Sequence, residues 1–307
     1  MRDRLMIGPI LIALLIGGLA LDQFLDKRSM PQWLADVVHL VPFVETTRDS
    51  FPPGLIIVPL MLVIAVLAAR ELAAMAKAKG IAASRGVMGT AAAMGVIATC
   101  AMPPQLSAAD AVGVVGTSAV LSLVMSLVYY SRHKNVTGVL AATGVTLLGY
   151  VYLGLTFGFL LAIRREHSAW VLLWVLLVTK SCDIGAYFTG KAIGKHKLAV
   201  WLSPGKTWEG LAGGVVLAVV VSAVGLNMMA ERGLLPWAGW FGAVLAGVVF
   251  AVVGQAGDLA KSLLKRDAGV KDSGQALPGF GGVIDIIDSP LLVTPLAFWW
   301  LRIFVGG

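Results

Sequence analysis

Asp258, Ser262 and Lys265 fall at i, i+4 and i+7, one stripe of a helix, with Gln255 near the same stripe. An acid, a hydroxyl and a base on one face can hold a metal and a phosphate. They can equally be a solvated helix end with an ordinary i, i+3 or i, i+4 pair. Asp285 and Asp288, three residues apart, share a face where another apolar run begins. Acids at a helix start are also common caps, because the dipole favours negative charge there. Crowding with Asp258 argues for more than capping. Carboxylates brought together repel unless a cation sits between them. Oxygen ligands with phosphate as co-ligand describe a Mg²⁺ site.

Two further segments carry polar residues into apolar surroundings. In KSCDIGAYFTGK, residues 180–191, Asp183 lies seven residues before Gly190, about 10 Å along a helix at ~1.5 Å per residue. Tyr187 follows one turn later on the same face. A carboxylate inside a span is costly unless paired or wet. Lys180 is a structural partner for it; the alternative is a functional intramembrane acid. In LSPGKTWEGLAGG, residues 202–214, Ser203, Lys206 and Thr207 precede a helix, where backbone N–H groups can cradle an anion. The plain alternative is a Pro-Gly turn with a lysine at the headgroups. A Walker A loop is excluded, since it needs Gly five residues before Gly205 and Val200 stands there. The four histidines, His39, His133, His167 and His196, are scattered without ligand spacing. Cys100 and Cys182 make neither a metal motif nor a disulfide framework.

The elements that must position these residues are membrane spans. The chain is 58% hydrophobic and 13% charged with mean hydropathy +0.86, far below the quarter charged of soluble domains. That composition predicts an all-α polytopic membrane protein. Spans need about 20 apolar residues, and nine are predicted, near 5–25, 53–70, 86–102, 111–131, 136–162, 168–190, 209–230, 238–260 and 283–304. The fifth is long and Gly-containing, so it is expected to be tilted or broken. The first has an apolar core longer than the ~7–15 residues of a signal-peptide h-region, so an uncleaved span is expected. With the N-terminus inside, sixteen Lys and Arg fall in inner segments and seven in outer ones, Lys180 lying within a span. This asymmetry predicts a cytoplasmic N-terminus. It puts the charged loops 191–208 and 261–282 on the cytoplasmic side, where nucleotides are. The organisation predicted is an N-terminal transmembrane region, 1–135, and a C-terminal catalytic transmembrane region, 136–307. The net charge of +7 reads as topology and anionic substrates or lipids. No basic tail or nucleic-acid motif accompanies it.

The run from Ser262 through Lys265-Arg266, Lys271-Asp272, Pro278, Gly281-Gly282, Asp285 and Asp288 resembles the motif of CDP-diglyceride synthetases, the phosphatidate cytidylyltransferases. The match holds in spacing across residues 262–288. Upstream, Asp183 with Ala186-Tyr187 and Gly190, Ser203-Pro204 with Lys206 to Gly210, and Gly257-Asp258 resemble the family in the same order. Two positions depart. Phe280 stands where the family has His, and Ile286 where it has the Arg between the acids. The resemblance implies that CTP and phosphatidate (phosphatidic acid) give CDP-diacylglycerol and pyrophosphate at a multi-pass protein of the cell membrane. It implies Mg²⁺ on Asp258, Asp285 and Asp288, with Asp183 for a second cation. It implies phosphate binding by Ser203, Lys206, Thr207, Ser262, Lys265, Arg266, Lys271 and Asp272, with Asp258, Asp285, Lys265 and Lys271 catalytic. A homodimer is compatible with it. Two other readings stay open. A CTP-dependent lipid or polyprenol kinase, or a divergent paralogue acting on another lipid phosphate, would share the apolar fold and basic loops. An ion-coupled transporter would place its charges near the midplane in repeat-related broken helices, and no repeat is visible.

Overall fold

The structure is a computed structural model that describes residues 2–32, 50–100, 107–132, 136–274 and 281–306. Among the described residues it is a set of nine helices with one small hairpin. The helices are α1 (Arg2–Asp26), α2 (Ile57–Ala78), α3 (Arg85–Cys100), α4 (Ala108–Ser131), α5 (Val139–Glu166), α6 (Ala169–Ile193), α7 (Trp208–Glu231), α8 (Gly239–Asp267) and α9 (Ile284–Leu301). Eight are long and apolar enough to cross a membrane, and α3, at 16 residues, is shorter. The protein is therefore an all-α multi-pass membrane protein, and each predicted span has its helix. Large apolar side chains such as Leu14, Val128, Val216 and Phe241 are exposed, as lipid-facing residues should be.

The chain forms two compact units, Met1–Arg165 with Asp272–Val283, and Glu166–Lys271 with Ile284–Gly307. In the first unit α5 is interrupted, as its length and glycines suggested, by a π-helical turn over Tyr150–Leu155. That turn presses Gly154 against α3. A Cβ on Gly154 would lie 2.8 Å from the Ala92 carbonyl oxygen, and one on Gly95 would lie 2.8 Å from Gly154 Cα. Only glycine permits such an approach. At its end Arg164, almost fully buried, donates to Asp22 Oδ2 at 2.6 Å and to Asp26 Oδ2 at 3.2 Å. Asp22 also accepts from Gly54 N and Ile56 N. The ends of α1 and α5 thus lie at one level, as alternating first and fifth spans must. Arg164 is a buried ion-pair partner rather than a loop charge, and leaving it out of the outer segments widens the Lys/Arg asymmetry.

In the second unit α6, α7, α8 and α9 pack around Trp174, Phe250 and Trp300, whose rings lie within 5.4–6.4 Å of one another. The indole N–H groups of Trp174 and Trp300 donate to the carbonyls of Ser222 and Gly242, satisfying buried donors that would otherwise be costly. Between α6 and α7 a hairpin forms from β1 (Lys197–Ala199) and β2 (Ser203–Thr207). The Glu209 carboxylate ties it down by accepting from the backbone N–H groups of Lys195 and His196. Cys100 and Cys182 are both free thiols.

Candidate active site

Six elements of the second unit line one cavity of about 440 Å³, β1 and α7 through Leu198, Gly210 and Leu211. The last turns of α6 bring Lys180, Asp183 and Tyr187. Strand β2 brings Lys206 and Thr207, α8 brings Gln255, Asp258 and Lys261, and the first turns of α9 bring Asp285, Asp288 and Ser289. Glycine makes the convergence possible. A Cβ on Gly257 would stand 2.8 Å from the Asp288 carbonyl oxygen, so α9 passes directly against α8 beside Asp258. A Cβ on Gly214 would stand 2.6 Å from the Cys182 carbonyl oxygen, so α7 lies as close to α6.

Four carboxylates and four ammonium groups alternate here. Asp258 pairs with Lys206 through Oδ2 and with Lys261 through Oδ1 at 2.8 Å. Lys261 also pairs with Asp288 and lies 3.9 Å from Asp285. Lys265 donates to Asp285 Oδ1 at 2.7 Å. Lys180 reaches Asp183 at 3.2 Å, Asp288 at 3.8 Å and the Ser289 hydroxyl at 3.5 Å. Asp288 is the most buried of the acids, its side chain 2% exposed. A carboxylate so enclosed needs a cation close by, and here it has two.

The structure therefore brings Asp183, Lys206, Thr207, Asp258, Asp285 and Asp288 to one cavity, with Lys265 on Asp285. Other predicted residues stand elsewhere. The Ser262 hydroxyl donates to the Asp258 carbonyl at 2.8 Å, back onto its own helix. Thr207, at the cavity, also caps α7, its Oγ1 accepting from Gly210 N at 3.1 Å. Ser203 pairs opposite Ala199 in the hairpin. Arg266 and Lys271 are exposed beyond the cavity wall, and Asp272, also exposed, belongs to the first unit. Phe280 lies outside the described residues. Ile286 follows Asp285 and is partly exposed.

Sequence reasoning missed Lys261, which faces more of these carboxylates than any lysine singled out for the site. The signal was present: 258, 261 and 265 are i, i+3 and i+7, as good a stripe as 258, 262 and 265. The sequence pairs Lys180 with Asp183 alone, and the structure adds Asp288. Gln255 is 6% exposed, and among the described residues its amide nitrogen has no hydrogen-bond partner, leaving a donor on the cavity wall.

Glu71 of α2 was also missed. Within the first unit it accepts from Val283 N at 2.8 Å and from the Ser273 hydroxyl at 3.1 Å. Gly274 and Gly282 leave it room, since a Cβ on either would collide with its carboxylate. Ser273 and Val283 lie in the short second segment of the first unit, so Glu71 ties that segment to α2 within the unit. Glu71→Ala leaves these donors without their acceptor, at a cost of roughly 1–3 kcal/mol each where buried. Tryptic cleavage after Lys271 is expected to accelerate in this variant. Cleavage at the wild-type rate would show that the segment is held by something else.

The donor set suits a hard divalent ion. All its ligating atoms are carboxylate oxygens, and Asp258, Asp285 and Asp288 converge on a single cationic point, the Lys261 ammonium. Among the described residues no three acidic, His or Cys groups already stand at coordinating distances. The ammonium takes up the point where they meet.

Helices that carry balanced charge to one cavity define a multi-pass membrane protein with a site suited to phosphate groups. The chain belongs to the cytidylyltransferase family, whose model matches residues 37–304. It is 36% identical over 205 residues to the phosphatidate cytidylyltransferase of Bacillus subtilis, covering 66% of this chain and 74% of that protein. Over 144 residues it is 40% identical to the phosphatidate cytidylyltransferase of Haemophilus influenzae, 45% of this chain and 48% of that one. The uncharacterized protein YnbB of Escherichia coli is 38% identical over 151 residues, 45% of this chain and 49% of YnbB.

Proposed function

We propose that the protein transfers the cytidylyl group of CTP to phosphatidate, giving CDP-diacylglycerol and pyrophosphate for phospholipid biosynthesis. The observation that carries this reading is the cavity, where four acids and three lysines from α6, β2, α8 and α9 alternate, with Lys265 paired to Asp285, in a chain of this family.

A phosphatidate oxygen attacks the α-phosphorus of CTP. A new P–O bond forms, the bond between the α-phosphorus and the bridging oxygen breaks, and pyrophosphate leaves with that electron pair. No protein nucleophile is required. The work is neutralisation and alignment of two anions. Lys206, Lys261 and Lys265 each hold a carboxylate in the free protein, and each can exchange it for a phosphate oxygen. Asp258, Asp285 and Asp288 would hold Mg²⁺ and Asp183 a second cation. When bound, the metal would neutralise the triphosphate and support the pyrophosphate leaving group. Arg266 and Lys271, exposed beyond the wall, would draw phosphates in, Arg bidentately and Lys as a point charge. The Gln255 amide offers a neutral donor on the cavity wall. Ser203, paired opposite Ala199, would serve the hairpin, and Ser262, whose hydroxyl donates to the Asp258 carbonyl, the helix.

The cavity lies at the ends of α6 and α8 and the starts of α7 and α9. With the Lys/Arg asymmetry, this supports a cytoplasmic N-terminus and a site facing the cytoplasm. Phosphatidate would enter from the inner leaflet of the cell membrane with its acyl chains still in lipid. Pairing into a homodimer belongs to the same proposal.

Purified protein given Mg²⁺, radiolabelled CTP and phosphatidate is expected to yield lipid-bound cytidine and one pyrophosphate for each. Release of CDP with phosphorylation of a lipid or polyprenol hydroxyl would replace this reading with the kinase. Transfer to a different lipid phosphate would identify a divergent paralogue, to which Phe280 and Ile286 already point.

A further inference from the structure

Lys261 is a mostly buried cation shared by three acids. Its side chain is 11% exposed, and its ammonium pairs with Asp288 and lies 2.8 Å from Asp258 and 3.9 Å from Asp285. The neighbouring lysines are not equivalent to it. Among the described residues, Lys206 forms one ion pair, with Asp258, and Lys265 forms one, with Asp285. Lys180 is 41% exposed and meets Asp288 only at 3.8 Å. The acids that share Lys261 are the same ones assigned above to the divalent ion. One point cannot serve both cations. Magnesium requires oxygens at about 2.0–2.1 Å, and an ammonium at the point of convergence excludes it by contact and by like charge. The backbone of Lys261 is fixed in α8, but its four-carbon stem is flexible, and it lines the cavity that phosphates would enter. Ile286 supplies no cation where the family resemblance has Arg. Lys261 provides one from the facing helix.

We propose that Lys261 is a built-in counter-cation. It holds Asp258, Asp285 and Asp288 together before substrate arrives, and yields them to a divalent ion when nucleotide phosphates take over its ammonium. The proposal rests on the cytidylyltransferase reading of the same cavity. It makes ion and nucleotide mutually dependent. The ion alone meets a site already neutralised. With CTP present the ammonium has another partner and the carboxylates are released. By linkage, CTP strengthens ion binding by the same factor as the ion strengthens CTP binding.

The test uses the full chain in detergent, with Mn²⁺ titrated by electron paramagnetic resonance, with and without CTP and without a lipid acceptor. In the wild type CTP is expected to tighten Mn²⁺ by roughly tenfold or more, within the usual range of coupling between sites. Lys261→Gln is expected to bind Mn²⁺ alone roughly tenfold tighter, with CTP adding little. Equal Mn²⁺ affinity in Lys261→Gln and wild type overturns the proposal. Removing the shared cation leaves three crowded carboxylates, so thermal unfolding is followed alongside. The Lys261→Gln midpoint should rise on adding Mg²⁺ by clearly more than the wild-type midpoint; equal rises also overturn it. The wild type is assayed in parallel for lipid-bound cytidine. Product with an unchanged Mn²⁺ pattern removes the Lys261 role alone. No product with the expected Mn²⁺ pattern removes the cytidylyl reading and upholds the ion exchange.

Discussion

Asp258→Asn is expected to reduce cytidylyl transfer at saturating CTP by roughly 10²–10³-fold, the scale of losing one preorganised electrostatic group from a reaction centre. Asparagine keeps the shape of the side chain, removes its charge and turns one acceptor oxygen into an NH₂ donor. That charge holds two lysines from different elements, Lys206 of the hairpin through one oxygen and Lys261 of α8 through the other. Its loss removes a proposed metal ligand and leaves both ammonium groups without this partner. The helix should persist, because α8 is packed along its length against α7 and α9. Asp258 is also the least buried of the three acids around Lys261, its side chain 26% exposed, so the substitution disturbs the core little. The check is kcat together with thermal stability. A folded variant with near-wild-type turnover would remove Asp258 from the chemistry.

How legible the site was follows from the range of each interaction. The helices could be placed because an apolar run of about 20 residues has few other uses. Asp183, Asp258, Asp285 and Asp288 stood out because carboxylates in such runs are costly. Lys261 did not stand out, for a geometric reason. At 3.6 residues per turn, positions i+3 and i+4 lie on either side of the face set by residue i. The sequence could not say whether Lys261 or Ser262 looked inward. Packing against α9 turned Lys261 toward Asp288 and left Ser262 bonded to its own helix. Glu71 was hidden by distance along the chain. Its partner Val283 lies 212 residues away, and nothing local marks an acid near the end of an apolar helix as the anchor of a distant loop. The hairpin looks like a Gly-rich loop in the sequence because its strands hold only 3 and 5 residues, too few to show alternation.

Lys206→Met is expected to lower kcat/KM for CTP by roughly 10²-fold, with most of the loss in kcat. The split follows from what Lys206 does in the free protein. Its ammonium already pairs with Asp258, and only 19% of its side chain is exposed. Binding ground-state CTP exchanges one anion for another, so it gains little, and its removal should change KM little. The transition state differs, because charge builds on the departing pyrophosphate and a fixed ammonium stabilises that charge more than a ground-state phosphate. Methionine keeps most of the side-chain volume. The hairpin should survive, since its backbone register and the Glu209 hydrogen bonds to Lys195 and His196 do not involve the Lys206 side chain. Lys206→Arg is not a neutral control, because a planar guanidinium prefers bidentate contacts and does not reproduce a point charge. Steady-state kinetics over a range of CTP concentrations decide the matter. A loss confined to KM would mean that Lys206 binds substrate and transition state equally, and that its pairing with Asp258 is not exchanged during the reaction.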